Sequence, residues 1–246
     1  MATHIASSQK KEYSFPMDNI KVISLGGSIV APSNPDVEFL TGFKKLVARY
    51  LDEDKSRKLI FVVGGGGPAR VYQKAAKEID SSLCNDSLDW IGIMATRLNA
   101  QFVKEIFHPY CTDPVITNPT ENFLFTSQLL LAAGWKPGFS TDTDAVYLAK
   151  KCGASTIINL SNISKIYSDD PKVNPNAIPL DHLSWNDYKK MIGQEWTPGK
   201  NAPFDPIATK EASEANLKVI TASGKDLNNI EKILYDQEFI GSTISN

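Results

Sequence analysis

Two short glycine runs are the residues of this chain whose type and spacing could bind a phosphate group. Gly26 and Gly27, followed by Ser28, end the apolar run in "IKVISLGGSIV", and residues 64–67 end a second apolar run in "KLIFVVGGGGPAR". A glycine has no Cβ, so its backbone N–H can approach an anion closely, and a helix that begins there adds a favourable dipole. A single glycine turn is most often only a tight connection between a strand and a helix. When two such turns follow consecutive strands, phosphate binding and a simple connection are equally good interpretations.

Neither glycine run has the spacing of a known nucleotide motif. No Gly-Lys-Ser/Thr follows, as it would in a P-loop, and the GxGxxG spacing of a dinucleotide site is absent. Arg70 lies shortly after the second run, near the start of a predicted helix, where its guanidinium could bind a phosphate through two parallel hydrogen bonds. A solvated arginine on a helix surface is the equally good alternative.

A third polar group lies in "GWKPGFSTDTDAVYLA", where Ser140, Thr141, Asp142 and Asp144 crowd the start of a predicted helix. An aspartate is favourable there on dipole grounds alone, so a structural role explains either acid. The functional interpretation gives one of the two aspartates the task of orienting a lysine or the backbone around a transferred phosphoryl group. We expect Thr141 to cap this helix and Gly153 to end it.

The composition narrows the class of protein. The chain has 246 residues, of which 42% are hydrophobic and 22% charged, as in soluble globular proteins. Its net charge of −2 argues against a general nucleic-acid binder, which needs a basic surplus. Cys84, Cys111 and Cys152 form no CxxC pair, which argues against a disulfide framework or a zinc site and favours a reducing, cytoplasmic compartment. The three histidines also lack the spacing of a metal site.

The first eighteen residues differ from the rest. Residues 1–18 are polar and lack the continuous apolar segment of a signal peptide, so we expect a mobile or loosely docked tail. No stretch of the chain approaches the ~20 apolar residues of a membrane span, and no membrane partner is expected.

From Ile20 onward, short apolar runs alternate with amphipathic segments. The predicted strands are "IKVISL", "KLIFVV", "PVIT", "STIINL", "LKVITAS" and, as a closing edge strand, "GSTIS". The segment "TSQLLLAAG" is predicted to form a short helix followed by a further strand. Strands that are apolar throughout predict an α/β fold with a mostly parallel sheet covered on both faces, and ligands bind beyond the carboxyl ends of such strands.

Two predicted helices carry apolar residues at helical spacing. The stripe of the first consists of Phe39, Leu40, Phe43, Leu46, Val47, Tyr50 and Leu51. The stripe of the second consists of Ile91, Ala95, Leu98, Phe102 and Ile106.

Six segments occur in the order seen in the amino acid kinase superfamily, and the chain most resembles its uridylate (UMP) kinase branch of the archaeal type. They are "SLGGSIVAPSNPDVEFL", "VVGGGGPARVY", "DWIGIMATRLNAQ", "STDTDAVYLA", "IYSDDPKVNPNA" and "FDPIATKEA". The similarity runs from about Ile20 to the end. It implies a three-layer αβα sandwich over residues 19–246, with an acceptor-binding lobe at 19–153 and an ATP-binding lobe at 154–246.

The resemblance also implies which residues act at the transferred group. Gly26, Gly27 and Ser28 match the loop that contacts the transferring phosphates. Asp142, rather than Asp144, matches the aspartate that holds the site in place when the chain is counted back from the next strand-end motif. Lys210 matches the lysine that helps to neutralise the γ-phosphate. The implied cofactors are ATP and Mg²⁺, the metal being held mainly by nucleotide phosphates, so no metal site of protein side chains is predicted.

Further residues match the two nucleotide sites of the family. Those implied to bind the acceptor phosphate are Gly65, Gly66 and Arg70, and those implied to bind its nucleoside are Asp89, Ser140 and Thr141. Those implied to bind ATP, besides Ser28, are Asn162, Tyr167 and Asp170.

The chain departs from the family pattern at two places. Ser24 stands where many members carry a lysine just before the first glycine loop, which removes one cation from the site. The family turn "NVDGVY" is "NISKIY" here, with Ser164 for the aspartate and Lys165 for the glycine. A lysine disfavours positive φ, so this turn is expected to differ in shape. Lys165 either reaches the phosphates in place of the missing cation or is an ordinary exposed lysine.

Three functions remain to be distinguished. The first is a Mg-ATP-dependent kinase that makes UDP from UMP in pyrimidine nucleotide synthesis, assembled as a homo-oligomer, by family analogy a hexamer. The second is a superfamily kinase with another phosphate or carboxylate acceptor, and the pair Arg70 and Asp89 favours a nucleotide over an amino acid. The third is a non-catalytic protein that binds nucleotide or oxyanion, an interpretation supported by Ser24 and the altered turn.

Overall fold

The computed structural model describes residues 19–171, 173–192 and 202–246 of the chain, and the predicted tail at 1–18 lies outside them. The strands in the described residues are β1 Ile20–Leu25, β2 Lys58–Val63, β3 Leu129–Ala132, β4 Thr156–Ser161, β5 Ile166–Tyr167, β6 Pro179–Leu180, β7 His182–Ser184, β8 Lys218–Ser223 and β9 Ser242–Ser245. The helices there are α1 Gly27–Val30, α2 Val37–Glu53, α3 Gly66–Ile79, α4 Asn85–Ile106, α5 Thr141–Cys152, α6 Trp185–Ile192, α7 Pro206–Glu214 and α8 Leu227–Leu234.

A seven-stranded, mostly parallel sheet forms the middle layer, in the order β3-β2-β1-β4-β8-β9-β7. The five strands from β3 to β8 are parallel to their neighbours, whereas β9 runs antiparallel to β8 and parallel to β7. The strands β5 and β6 form a separate antiparallel pair. The carboxyl ends of β2, β1, β4 and β8 therefore meet at one edge of the sheet.

Helices cover both faces of the sheet, which confirms the three-layer αβα prediction. One apolar core packs α2, α4 and α8 against the first face, through residues such as Phe43, Val103 and Ile233. The other core packs α5, α6 and α7 against the second face, with Trp185 and Tyr188 among its largest buried side chains. None of the helices in the described ranges has the length and apolar character that crossing a membrane requires.

Several sequence predictions are confirmed and several are wrong in detail. All seven residues of the predicted α2 stripe are buried. The α4 stripe is right in part: Ala95 is buried and Phe102 and Ile106 pack against the core, but Leu98 is 67% exposed and the buried Ala100 and Val103 were not predicted. The segment predicted as a short helix at 126–134 contains strand β3. The predicted edge strand β9 lies inside the sheet because β7 pairs with its outer side.

The two glycine turns lie against each other, main chain to main chain. A Cβ on Gly27 would lie 2.1 Å from the nitrogen of Gly66, and one on Gly64 would lie 2.4 Å from the nitrogen of Gly27. Gly66 has φ +64°, and its added Cβ would lie 2.3 Å from the oxygen of Gly27. These distances are far inside van der Waals contact, so the pairing of the turns after β1 and β2 requires residues without side chains.

Two glycines with positive φ separate the effect of close contact from that of backbone strain. Gly153, the C-cap of α5, has φ +74° and no atom within 4 Å of its added Cβ. Gly153→Ala should lower the free energy of unfolding by about 1 kcal/mol, the usual cost of a left-handed conformation. Gly66→Ala has the same strain plus a clash with main-chain atoms, so we expect a loss at least twice as large. Denaturant unfolding measures both, and equal losses would contradict the close contact.

Candidate active site

The order of the strands places a crevice between β1 and β4. The chain builds outward from β1 through β2 and β3 on one side and from β4 through β8 on the other, and ligands of open α/β sheets bind at such a reversal, beyond the carboxyl ends. Gly26 and Gly27 follow β1 at this point, and the exposed Asn162 follows β4. The backbone N–H of Gly26 donates to the oxygen of Leu160 at 2.9 Å, which joins the two loops at their base.

Arg70 is directed onto the first glycine loop. Its Nη1 donates to Ser28 Oγ at 3.1 Å and its Nη2 to the Pro32 oxygen at 3.3 Å, although it belongs to α3, which follows the second loop. No acceptor in the described residues takes the backbone N–H of Gly27 or Ser28. An exposed guanidinium and free main-chain N–H groups therefore occur together, which is the combination that binds a phosphate.

Asn99 holds the second glycine loop and was missed by the sequence analysis. It lies inside α4, 5% exposed, and its Nδ2 donates to the oxygens of Gly64 at 2.9 Å and Gly65 at 3.1 Å. Gly65 is the N-cap of α3, and Gly66 is its first residue. Asparagine is a poor helix former, so an Asn between buried residues of a helix is the feature that could have indicated a side-chain role.

Asp89 lies beside the loop that leads into α5. Its Oδ2 accepts the backbone N–H of Gly138 at 3.1 Å, and Gly138 has φ +81°. Nearby on α4, Arg97 Nη2 donates to the oxygen of Trp135 at 3.1 Å. The structure thus brings Asp89, on α4, into contact with the loop that leads to Ser140, another residue predicted to bind the acceptor nucleoside.

The start of α5 is capped by Ser140 rather than by Thr141. Ser140 Oγ accepts the backbone N–H groups of Asp142 and Thr143, each at 3.1 Å, while Thr141 is the first helical residue. Thr141 has a β-branched side chain one position too late to accept these bonds, so the prediction was off by one residue. Gly153 ends the helix in a left-handed conformation, as predicted.

Asp205 joins the start of α5 to the start of α7 and was also missed. Its Oδ1 caps α7 by accepting the N–H groups of Ile207 and Ala208 at 2.8 and 2.9 Å. Its Oδ2 accepts hydrogen bonds from Ser140 Oγ and, at 3.2 Å, from Thr143 Oγ1. The sequence "FDP", an acid followed by proline at the first helical position, is the N-cap pattern that could have indicated it.

Lys210 lies on α7, whose orientation Asp205 sets. Its side chain is exposed, and no ion pair or hydrogen bond of its ammonium group occurs within the described residues. On the other side of the junction, Ser24 Oγ donates to Asp142 Oδ1 at 3.0 Å, and Ser24 is only 3% exposed. The residue in the position of the missing lysine therefore contacts the aspartate that the lysine would otherwise face.

Two carboxyl groups at this junction are difficult to ionise. Burial is the main cause that raises the pKa of Asp142 to about 7, helped by the charge of Asp205 and opposed by the Ser24 hydroxyl. Burial also raises the pKa of Asp144 to about 7, opposed by the N–H of Trp135, which donates to Asp144 Oδ2 at 3.2 Å. Asp144 Oδ1 is buried without a hydrogen-bond partner among the described residues. Burial at this junction therefore disfavours the charged form of both Asp142 and Asp144.

The described residues contain no group of three or more His, Cys, Asp or Glu that could hold a metal ion. Mg²⁺ needs only one or two protein carboxylates when substrate phosphates supply the other ligands. Of the three acids at the α5–α7 junction, Asp144 is buried, whereas Asp142 and Asp205 are partly exposed, and their oxygens fit that limited role.

The residues predicted to bind ATP are less closely grouped. Tyr167 is half-buried in β5, one of the two strands of the small sheet, whereas Asp170 is exposed in the connection that follows β5. Lys165 forms an ion pair with Asp181, which favours its interpretation as a structural surface lysine. Positive φ among the described non-glycine residues is confined to Asn216 and Asp236, so Lys165 does not adopt the conformation that a glycine there would allow.

Comparison with known proteins decides the family. Residues 19–223 match the model of the amino acid kinase family. The chain belongs to the amino acid kinase family. Among curated relatives, it is 31% identical over 228 residues to the uridylate kinase of Hyperthermus butylicus, covering 91% of this chain and 97% of that one. It is 30% identical over 232 residues to the uridylate kinase of Thermoplasma volcanium, covering 93% and 98%.

Solved structures agree with this family assignment. The crystal structure of the uridylate kinase from Archaeoglobus fulgidus matches with a TM-score of 0.76 and 28% identity, covering 92% of this chain and 99% of that one. The UMP kinase structure from Ureaplasma parvum, 21% identical with a TM-score of 0.74, shares the fold. The similarity thus extends over nearly the whole length of each protein.

The buried Asp144 predicts a dependence of stability on pH. Its pKa rises from 3.8 to about 7 on folding, so the folded state binds the proton more tightly and the protein loses stability as the pH increases from about 4 to about 7. We expect the melting temperature to be higher at pH 5.5 than at pH 8. Asp144→Asn keeps the acceptor for Trp135 and should reduce this difference, mainly by stabilising the protein at pH 8. Asp86→Asn, at an exposed position, is the control, and an unchanged pH profile of Asp144→Asn would contradict the assignment.

Proposed function

We propose that this chain is a UMP kinase that transfers the γ-phosphoryl group of Mg-ATP to UMP, giving UDP for pyrimidine nucleotide synthesis. The main observation behind the proposal is that Arg70 contacts the first glycine loop. Its guanidinium and the N–H groups of that loop, which have no acceptor in the described residues, can together bind the phosphate of an acceptor nucleotide. The names of the relatives, uridylate kinases aligned over more than 90% of their length, support UMP as that acceptor.

The proposed division of the domain follows the crevice. Residues 19–153, with Gly65, Gly66 and Arg70, would bind the acceptor phosphate. Asp89, Ser140 and Thr141 would bind the acceptor nucleoside, supported by the contact of Asp89 with the loop before α5. Residues 154–246 would bind ATP, and their contacts are proposed to be Asn162, Tyr167 and Asp170, together with Ser28 from the first lobe.

In phosphoryl transfer the protein contributes by positioning the reactants and by stabilising charge rather than by covalent chemistry. Gly26 and Gly27 would direct N–H groups at the transferred phosphoryl group, and Lys210 would offset the charge on its oxygens. Asp142 would hold the array in place from its contact with Ser24. The attacking phosphate oxygen of UMP is already ionised at neutral pH, so no strong general base is needed. Mg²⁺ would add positive charge at the phosphates that mainly hold it.

A homo-oligomer, by family analogy a hexamer, is part of the proposal. The exposed residues Trp90, Met94 and Leu98 follow one another at helical spacing on α4, and Val71 and Tyr72 are exposed on the adjoining α3. An apolar face of this kind on a globular protein is typical of an interface between subunits. We further propose a cytoplasmic location, supported by the free cysteines Cys84, Cys111 and Cys152.

A coupled assay of ADP formation tests the proposed reaction. Purified protein with Mg-ATP should turn over UMP at a kcat/KM at least about tenfold above that for CMP, AMP or N-acetylglutamate, since a tenfold preference needs only 1.4 kcal/mol. Turnover with another acceptor and none with UMP would favour a different kinase of the family. ATP binding without turnover of any acceptor would instead favour the non-catalytic interpretation.

Arg70→Ala tests the acceptor side separately. The loss of a charged hydrogen bond to the UMP phosphate should raise the KM for UMP by about tenfold or more, while the KM for ATP changes little. Lys74→Ala, one turn further along the exposed face of α3, is the matched control. Equal increases in both KM values would make Arg70 a structural residue of the loop.

A further inference from the structure

The loop after β8 lies at the same edge of the sheet as the two glycine turns. Ser223, the last residue of β8, pairs with Ser161 of the parallel strand β4. The backbone N–H of the next residue, Gly224, donates to the oxygen of Ser161 at 2.8 Å. A Cβ on Gly224 would lie 2.7 Å from Ile29 Cγ1, so this loop touches α1, the helix of the first glycine turn.

Lys225 follows Gly224 and lines an open cleft of about 580 Å³. The other residues that line this cleft are Ser223, Asp226, Leu227 and Asn228. The side chain of Lys225 is exposed, and its ammonium group has no hydrogen bond or ion pair in the described ranges. Asp226 is the N-cap of α8 and accepts the N–H of Asn229 at 3.0 Å, so its carboxylate is directed to the helix end rather than to Lys225.

Three other lysines at or near the sheet are already accounted for. Lys165 forms an ion pair with Asp181, and Lys21 lies at the amino end of β1, where it pairs with Asp236. Lys210 lies on α7, which covers one face of the sheet, and its side chain is exposed. Ser24 supplies no charge. Arg70 is then the cation that contacts the first glycine loop, on the side of the proposed acceptor, and Lys225 is an unpaired cation at the same edge of the sheet.

The distance between the carboxyl ends of β1 and β8 allows Lys225 to contact the phosphate chain of ATP. Neighbouring strands lie about 4.8 Å apart, so the ends of β1 and β8 are separated by about 10 Å, with β4 between them. The four-carbon stem of lysine extends into such a gap. Because α8 and α7 cover opposite faces of the sheet, Lys225, just before α8, and Lys210, on α7, lie on opposite sides of it.

We propose that Lys225 binds the phosphate chain of the donor nucleotide, on the side opposite Lys210, and supplies the positive charge that Ser24 does not. This assignment rests on the proposed function of the crevice. It makes the cleft after β8 part of the donor site, and it predicts that donor affinity depends on the charge at position 225 rather than on the identity of the side chain.

Binding of Mg²⁺ and the non-hydrolysable analogue AMP-PNP, measured by calorimetry on the full chain, tests the proposal without requiring turnover. Lys225→Ala should weaken binding about tenfold, because a hydrogen bond to a charged group contributes at least that factor. Lys225→Arg keeps the charge and should remain within about threefold of the unsubstituted protein. Lys218→Ala, at the amino end of the same strand, removes an exposed lysine far from the crevice and is the matched control. In steady state, Lys225→Ala should raise the KM for ATP and leave the KM for UMP unchanged.

The outcomes separate this inference from the proposed reaction. If UMP is turned over and Lys225→Ala binds AMP-PNP as tightly as the unsubstituted protein, the inference is wrong and the function stands. If no acceptor is turned over but Lys225→Ala weakens AMP-PNP binding and Lys218→Ala does not, the inference stands and the reaction is wrong. Equal weakening by both alanine variants would show a general effect of surface charge and overturn the role of Lys225.

Discussion

The contact between two stretches of main chain organises this end of the molecule. The turn after β1 and the turn after β2 approach until Gly27 lies against Gly64 and Gly66, closer than any side chain would permit. This approach brings the start of α3 beside α1, which is why Arg70 can reach Ser28 across two different loops. The N–H groups of Gly27 and Ser28 have no acceptor in the described residues, although Gly27 itself is buried and only Gly26 and Ser28 are partly exposed. The glycines therefore allow the two turns to pack, and anion binding by the same loop belongs to the proposed function.

A second constraint comes from acids that the fold buries beside this contact. The junction of α5 and α7 collects Asp142, Asp144 and Asp205, and only neutral groups donate the hydrogen bonds described for them. Burial makes ionisation of Asp142 and Asp144 unfavourable, which lowers stability at neutral and higher pH. Perturbed acids of this kind concentrate at functional sites, because a structure optimised only for stability would replace them. Bound cations at the phosphates would relieve the same penalty.

The sequence predicts the fold well where periodicity and length agree. Six-residue β-branched runs such as β1, β2 and β4 could only be buried strands, and the seven apolar positions of α2 match one helical face. The four apolar residues of β3 carry no period, so a short helix and a buried strand are indistinguishable there. The buried face of α4 depends on tertiary contacts, such as that of Thr96 with Gly134, which turn Leu98 toward solvent. No pattern within the helix could reveal this.

The candidate site shows the same division between local and long-range information. Glycine turns and aspartates at a helix start have local signatures, so Gly26, Gly27 and the pair Asp142 and Asp144 could be named as candidates from the residues, whereas only the family resemblance selected Asp142. Asn99 and Asp205 act on residues more than thirty and sixty positions away, and such partners become visible only when the sheet is assembled.

The distribution of charge around the crevice depends on Ser24 of β1, the position where many members of the family carry a lysine. Ser24 is buried inside β1, so a side chain there points between the sheet and α5 and can contact only what α5 offers, which is Asp142. The serine hydroxyl donates a hydrogen bond to Asp142 but carries no charge to balance that of the carboxylate. Under the proposed function, the cations would then come from positions outside the sheet, on a helix or a loop. Lys210 on α7 and Lys225 before α8 occupy such positions on opposite faces, so the loss of one buried charge is compatible with a site that is electrostatically complete once nucleotides bind.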